Sequence, residues 1–113
     1  MSASYFVRYE ITAQDLGAFL RHYRNQHVPL VAGWPGLQRL VLHTATEWND
    51  QFPVNRGHAV LLAQLEFESP EALNAAFASP ERAAARRDFQ QFPAYEGLVT
   101  HQAMLSEEVW RKP

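Results

Sequence analysis

The feature that most limits the fold of this chain is the order of its segments with strand-like and helix-like spacing of apolar residues. A period of two is typical of a β-strand, and recurrence every three or four residues is typical of an amphipathic helix. The strand-like segments are residues 5–11, 37–46, 59–67 and 98–105, and the helix-like segments are residues 16–27 and 69–88. The chain therefore predicts the order strand, helix, strand, strand, helix, strand.

This order is the split βαβ arrangement of ferredoxin-like folds. We predict one α+β domain over residues 1–113, with a four-stranded antiparallel sheet and both helices on one of its faces. The other face would carry Phe6, Val60 and Leu62, and apolar surface of this kind is usually covered. The simplest cover is a second copy of the chain, so we expect a homodimer through sheet faces.

Capping residues and prolines mark the predicted ends of the helices. Thr12 is placed to cap the first helix, which should run to about His27, because Pro29 disfavours helical geometry in the residue before it. Ser69 and Ser79 are each followed by proline and glutamate, the arrangement that begins a helix. The second helix is therefore expected to be broken into two.

Composition excludes several classes of function. The chain has no cysteine, so disulfides, thiolate nucleophiles and cysteine-based metal sites are excluded. The formal charge is -2 and the basic residues are spread along the chain, which predicts no nucleic-acid partner. No apolar run approaches the roughly 18 to 20 residues of a membrane span, and the N-terminus lacks a secretory pattern. We therefore expect a cytoplasmic protein with no membrane partner.

Residues 45–58 form the longest segment without strand or helix periodicity. The segment is largely polar but contains Trp48 and Phe52, which are costly to leave in water. Long loops in compact domains are usually functional or held by a partner. We therefore expect this loop to be a lid or a dimer arm.

His27 is the strongest candidate for a catalytic group. A histidine at a helix C-terminus is favoured as imidazolium by the helix dipole, whereas apolar neighbours such as Val28 and Leu30 oppose the charge. Opposed effects of this kind keep a pKa near neutrality, where proton transfer is efficient. The alternative role is structural, in which the ring only caps the last carbonyl groups of the helix.

Four other residues are candidates for binding a substrate. Tyr9 could donate a hydrogen bond to a substrate oxygen, and Trp34 could stack on an aromatic ring. His43 and His101 lie in predicted strands, and the pattern leaves open which sheet face each occupies. Packing in the core or at an interface is the alternative role for all four.

The spacing of the histidines gives no metal site, and anion binding by the arginines is an open alternative without support in the pattern. His22 and His27 are five residues apart, which does not place them on one face of an α-helix. We therefore predict no metal and no cofactor. The arginines at positions 82, 86 and 87 are expected on the solvated face of a helix.

A resemblance to a known family rests on residues 19–37, which read "FLRHYRNQHVPLVAGWPGL". The aromatic helix, His-x-Pro-Leu and Pro-Gly-Leu resemble the signature of EthD-like proteins in the dimeric α+β barrel superfamily. Residues 67–92, "FESPEALNAAFASPERAAARRDFQQF", are similar in pattern to that family's second helix. The resemblance implies a ferredoxin-like monomer, a dimeric α+β barrel, and a pocket between the sheet and its helices in each monomer.

The same resemblance frames the function that we predict. Relatives include small cofactor-free isomerases, lyases and polyketide-modifying enzymes. We expect a cofactor-independent isomerase, lyase or cyclase that acts on a small, largely apolar, aromatic or lactone-like metabolite, with His27 moving a proton. One alternative is a non-catalytic small-molecule binder or accessory protein of a degradation pathway. Another is a cofactor-free monooxygenase, since one fold hosts many chemistries.

Overall fold

An antiparallel sheet with helices on one face is the framework of the molecule, and its computed structural model describes residues 1–113. The strands are β1 (Ser2–Ala13), β2 (Leu37–Thr44), β3 (Leu61–Phe67) and β4 (Tyr95–Ser106). The helices are α1 (Leu16–His22), α2 (Val28–Ala32), α3 (Pro70–Phe77) and α4 (Pro80–Asp88), with a π-helical turn at Tyr23–His27 and a 3₁₀ turn at Phe89–Gln91. None of these helices has the length and apolar character that a bilayer crossing needs.

The strands lie in the order β2-β3-β1-β4, and every adjacent pair is antiparallel. β1 is central, so that Tyr5 pairs with Leu65 of β3 on one side and with Ala103 of β4 on the other. This order and the single layer of helices confirm the predicted α+β, ferredoxin-like fold.

The face of the sheet that carries the helices forms the hydrophobic core. The predicted alternation of β1 is confirmed, because Tyr5, Val7, Tyr9 and Ile11 are all buried on this face. Tyr9, Phe19 and Phe67 have no exposed surface. Burial of a large apolar side chain contributes roughly 1.5–3 kcal/mol, so these contacts hold the helices over the sheet.

The capping serines are confirmed, and the predicted cap of the first helix is wrong. Ser69 and Ser79 accept hydrogen bonds from the amides of Ala72 and Arg82, each at 3.1 Å. Thr12 lies within β1, whereas the carboxylate of Asp15 caps α1. The strand is longer than its alternation indicated because β4 pairs with β1 as far as Ala13.

The sequence predicted that the first helical segment would end before Pro29, and this prediction is wrong. α1 continues through the π-helical turn into α2, where Pro29 lies in the first turn. The amide of Val28 bonds to the carbonyl of Tyr23, five residues earlier. A π-helical turn is wider than an α-helical one and shifts the hydrogen-bond ladder, so the chain accommodates a residue that has no N–H to donate.

The opposite face of the sheet is open in the single chain. Phe6 and Leu62 lie on it half-buried. Leu98 and Met104 of β4 are 59% and 49% exposed on the same side. The helices therefore cover only one of the two apolar faces that the strands create.

Candidate active site

A narrow cavity lies between the helices and the middle of the sheet. Its volume is about 30 Å³, room for one or two water molecules. It is lined by Tyr5, Val7, Tyr9, Tyr23, His27, Val31, Trp34, Leu65, Arg82, Ala85, Arg86, Phe89 and His101. No residue of the 45–58 loop lines it, so within one chain that loop is not a lid.

His27 belongs to a cluster with Asp88 and His22. The side chain of His27 is 4% exposed, and its Nδ1 lies 2.9 Å from Oδ2 of Asp88. His22 Nε2 lies 3.2 Å from each oxygen of the same carboxylate. One carboxylate therefore holds both imidazole rings.

The π-helical turn brings these two histidines to one face. The prediction that a five-residue spacing separates His22 from His27 assumed an α-helix and is wrong. A π-helical turn pairs residues five apart, and the turn at Tyr23–His27 lies between the two rings. The irregular turn thus has a chemical consequence, because it lets both rings reach Asp88.

The position of Asp88 is explained by the histidines rather than by its helix. Asp88 is the last residue of α4, where a negative charge opposes the helix dipole by about 0.3–1 kcal/mol. Its side chain is only 10% exposed, and buried carboxylates require hydrogen-bond partners. His22 and His27 supply those partners.

Burial decides the protonation state of His27. Desolvation lowers its pKa from the usual 6.5, and the hydrogen bond and charge of Asp88 only partly oppose this. The predicted stabilisation of the imidazolium by a helix C-terminus is absent, because the chain continues as α2 beyond His27. The neutral ring donates Nδ1–H to Asp88 and keeps a lone pair on Nε2, as a general base requires.

Tyr9 and Trp34 both line the cavity and present unused donors. Tyr9 has no exposed surface and Trp34 is 7% exposed, yet the Trp34 indole N–H has no hydrogen-bond partner. The Tyr9 hydroxyl faces the hydroxyl of Tyr23 but makes no hydrogen bond of good geometry. Burial raises the pKa of Tyr9, so its hydroxyl keeps its proton. An unpaired buried donor costs about 1–3 kcal/mol, which a ligand oxygen at these atoms would recover.

The two strand histidines occupy opposite faces of the sheet. His101 lines the cavity, and its Nδ1 lies 2.7 Å from the hydroxyl of Tyr5. His43 lies opposite Leu62 on the open face and bonds to the side chain of Gln64 at 3.1 Å. The structure therefore brings His27, Tyr9, Trp34 and His101 together and leaves His43 outside the cavity.

The sequence did not predict that arginines of α4 line the cavity. Arg82 and Arg86 line the cavity, with their guanidinium carbons 5.1 and 4.8 Å from the ring centres of Phe77 and Phe89. Arg86 and Arg87 are exposed, as predicted, but Arg86 also borders the cavity, and Arg82 is half-buried. The signal was the spacing of four residues, which places positions 82 and 86 on one side of a helix.

The histidine and aspartate cluster lies within a segment that matches a described domain. The EthD domain model matches residues 12–94. The chain belongs to the EthD family. The chain is also similar to a Rhodococcus erythropolis protein named "Uncharacterized 11.0 kDa protein in thcB-thcC intergenic region". That relative is 40% identical over 78 residues, which are 69% of this chain and 72% of the relative.

Solved structures share the fold of this EthD-family chain. An EthD family protein of Bacillus halodurans has a TM-score of 0.76 at 24% identity, over 95% of this chain and 100% of that one. The hydroxynitrile lyase of Passiflora edulis has a TM-score of 0.68 at 12% identity, over 97% of each chain. SnoaB, a cofactor-independent oxygenase of Streptomyces nogalater, has a TM-score of 0.59 at 13% identity, over 98% of each chain. At these identities the likeness shows the fold alone.

Proposed function

We propose that this EthD-family protein is an enzyme that moves a proton on a small metabolite, with His27 as the general base. The observation that carries the proposal is the 2.9 Å bond from His27 Nδ1 to the nearly buried carboxylate of Asp88. A carboxylate on one ring nitrogen selects the tautomer and stabilises the imidazolium that forms when the other nitrogen takes a proton. Asp88 is thus a positioning residue, and His27 is the residue that touches the substrate.

The reaction begins on an acidic C–H or O–H group whose conjugate base carries its charge on oxygen. Nε2 of His27 removes the proton and becomes part of an imidazolium, while an enolate or phenolate forms in the cavity. Tyr9 and Trp34, whose donors lack partners, bond to that oxygen. Return of the proton at another atom gives an isomerase, loss of a leaving group gives a lyase, and attack on a second carbonyl gives a cyclase.

His101 and Tyr5 extend the polar wall of the site in this proposal. Burial and the charges of Arg86 and Arg82 lower the pKa of His101, so its ring is neutral at pH 7. Its Nδ1 is engaged by the Tyr5 hydroxyl, which leaves Nε2 for a polar group of the substrate. We assign no substrate contact to His43.

We also propose that the protein acts as a cytoplasmic homodimer. The apolar side chains of Phe6, Leu62 and Met104 on the open sheet face support a sheet-to-sheet contact between two copies. The 45–58 loop contributes exposed Trp48 and Phe52 outside the cavity. In a dimer, these side chains would form an arm on the partner.

Deuterium exchange tests the proposed function. A panel of 1,3-diketones, aryl ketones and aryl lactones is incubated with the protein in D₂O, and loss of acidic protons is followed by NMR. The wild-type protein and H43Q are expected to exchange at least one compound faster than buffer, and H27Q is expected to lose this rate. H43Q is the matched control because it alters a histidine outside the cavity.

Two other outcomes identify the rival functions. Saturable binding of a panel member without exchange in the wild-type protein would indicate a binder, and would refute the enzyme. Oxygen uptake that accompanies exchange would indicate a cofactor-free monooxygenase; SnoaB, whose fold this chain shares, is described as a cofactor-independent oxygenase. An oxygen electrode run beside the NMR measurement separates these cases.

A further inference from the structure

We infer that the cavity binds a planar aromatic carboxylate, whose carboxylate oxygens are held by Arg82 and Arg86, while Tyr9 and Trp34 bond to a further oxygen, on which the proposed reaction places charge. This inference rests on the proposed function, because it names the substrate class of the same site. It concerns binding alone and does not require that His27 transfer a proton.

The polar atoms that line the cavity favour a negatively charged, accepting ligand. Nε of Arg82, the Tyr9 hydroxyl and Nε1 of Trp34 are buried without partners, and the arginine and indole nitrogens can only donate. No Asp or Glu lines the cavity. Neither Arg82 nor Arg86 forms an ion pair within the chain. The cavity therefore has two cations without a counter-ion.

The charges of these arginines act on the interior of the site. In addition to burial, Arg86 and Arg82 lower the pKa of His101, and Arg86 lowers the pKa of His27. Both guanidinium groups also lie over aromatic rings. Arg82 is close enough to the Tyr5 hydroxyl to affect its pKa, but its buried Nε has no partner. A guanidinium edge matches the two oxygens of a carboxylate.

The shape of the site favours a flat ligand. The rings of Tyr9 and Phe89 both line the cavity, with centroids 6.4 Å apart and planes inclined by 23°. A flat ring between them needs about 7 Å, which is two van der Waals contacts. The cavity of about 30 Å³ is too small as it stands, so binding requires the half-buried ring of Phe89 to move outward while Arg86 stays at the edge of the cavity.

Titration with benzoate and its neutral isostere benzamide tests the inference. Binding is followed through the indole N–H signal of Trp34, which is identified by its loss in W34F. Benzoate is expected to shift this signal with a dissociation constant below about 10 mM, and benzamide to bind at least about tenfold more weakly. R82Q and R86Q should each weaken benzoate by about tenfold or more, whereas R87Q, on the solvated side of α4, should not.

The outcomes are distinguishable from those of the exchange experiment. H27Q should still bind benzoate, because benzoate has no proton to give to this base. Equal binding of benzoate and benzamide, no binding of benzoate below about 10 mM, or wild-type affinity in R86Q would overturn the inference. R86Q is decisive if R82Q fails to fold, because Arg86 is exposed. Charge-selective binding without any exchange would preserve the anion site and refute only the enzyme.

Discussion

Replacing Asp88 with asparagine isolates the charge that holds His27. The change keeps the size of the side chain, and an amide oxygen can still accept from Nδ1–H of His27. It removes the negative charge that lies beside both His27 and His22. We expect the fold to persist, because this charge opposes the dipole of α4 at its C-terminal end.

The magnitude follows from the geometry of the pair. Nδ1 and Oδ2 are 2.9 Å apart, which puts the centres of charge about 4 Å apart, and such a pair attracts by about 4 kcal/mol at an effective dielectric constant near 20. This energy is gained only when His27 takes a proton, because the resting ring is neutral. One tenfold change in rate corresponds to about 1.36 kcal/mol, so D88N should slow the exchange reaction by about 10³-fold. In a Ser-His-Asp triad the equivalent change costs about 10⁴ in kcat.

Long-range ¹⁵N NMR of the imidazole rings measures the cause directly. In the wild-type protein His27 should be the Nδ1–H tautomer near neutral pH. Because Asp88 raises the pKa of His27, His27 should titrate at lower pH in D88N. Since the asparagine amide can donate as well as accept, part of the His27 rings should change to the Nε2–H tautomer. E81Q, which removes an exposed carboxylate from the first turn of the same helix, is the control and should change neither property. If the tautomer, the titration and the exchange rate are all unaltered in D88N, Asp88 does not control the tautomer or the basicity of His27.

Three further changes test the fold, its pH dependence and its assembly. G97A should lower the free energy of unfolding by about 3 kcal/mol in urea titrations, since a Cβ at this φ of +126° would lie 2.4 Å from the carbonyl oxygen of Glu10. G57A should be neutral, because its Cβ would only contact the end of the Arg8 side chain, at 4.0 Å. His27 is protonated near pH 6.5 in the unfolded chain and only at lower pH in the folded chain, so its contribution to stability is full above pH 6.5 and falls as the pH drops below it. H27Q should reduce the fall of unfolding free energy with decreasing pH, and an unchanged pH dependence would contradict the lowered pKa of His27. L62E should convert the dimer to monomer in sedimentation velocity, and a wild-type monomer at micromolar concentration would remove the dimer from the proposal.

The order of strands and helices was predictable because it depends on local spacing. Alternation in β1 places Tyr5 and Tyr9 on one face whatever surrounds the strand. Ser69 and Ser79 cap helices through bonds to amides three residues away, so neighbouring residues carry the whole signal. The His-x-Pro-Leu segment likewise identified both the family and His27 as the central candidate.

The composition of the site was decided by the tertiary structure. Asp88 is 61 residues from His27, and no local pattern indicates which carboxylate will meet which imidazole. His43 and His101 were separated only by strand register, since a shift of one residue reverses the face of every side chain. The π-helical turn, which brings His22 to Asp88, differs from an α-helix by a single hydrogen-bond step. Sequence spacing determines contacts within one element, whereas a site built between elements depends on how those elements pack.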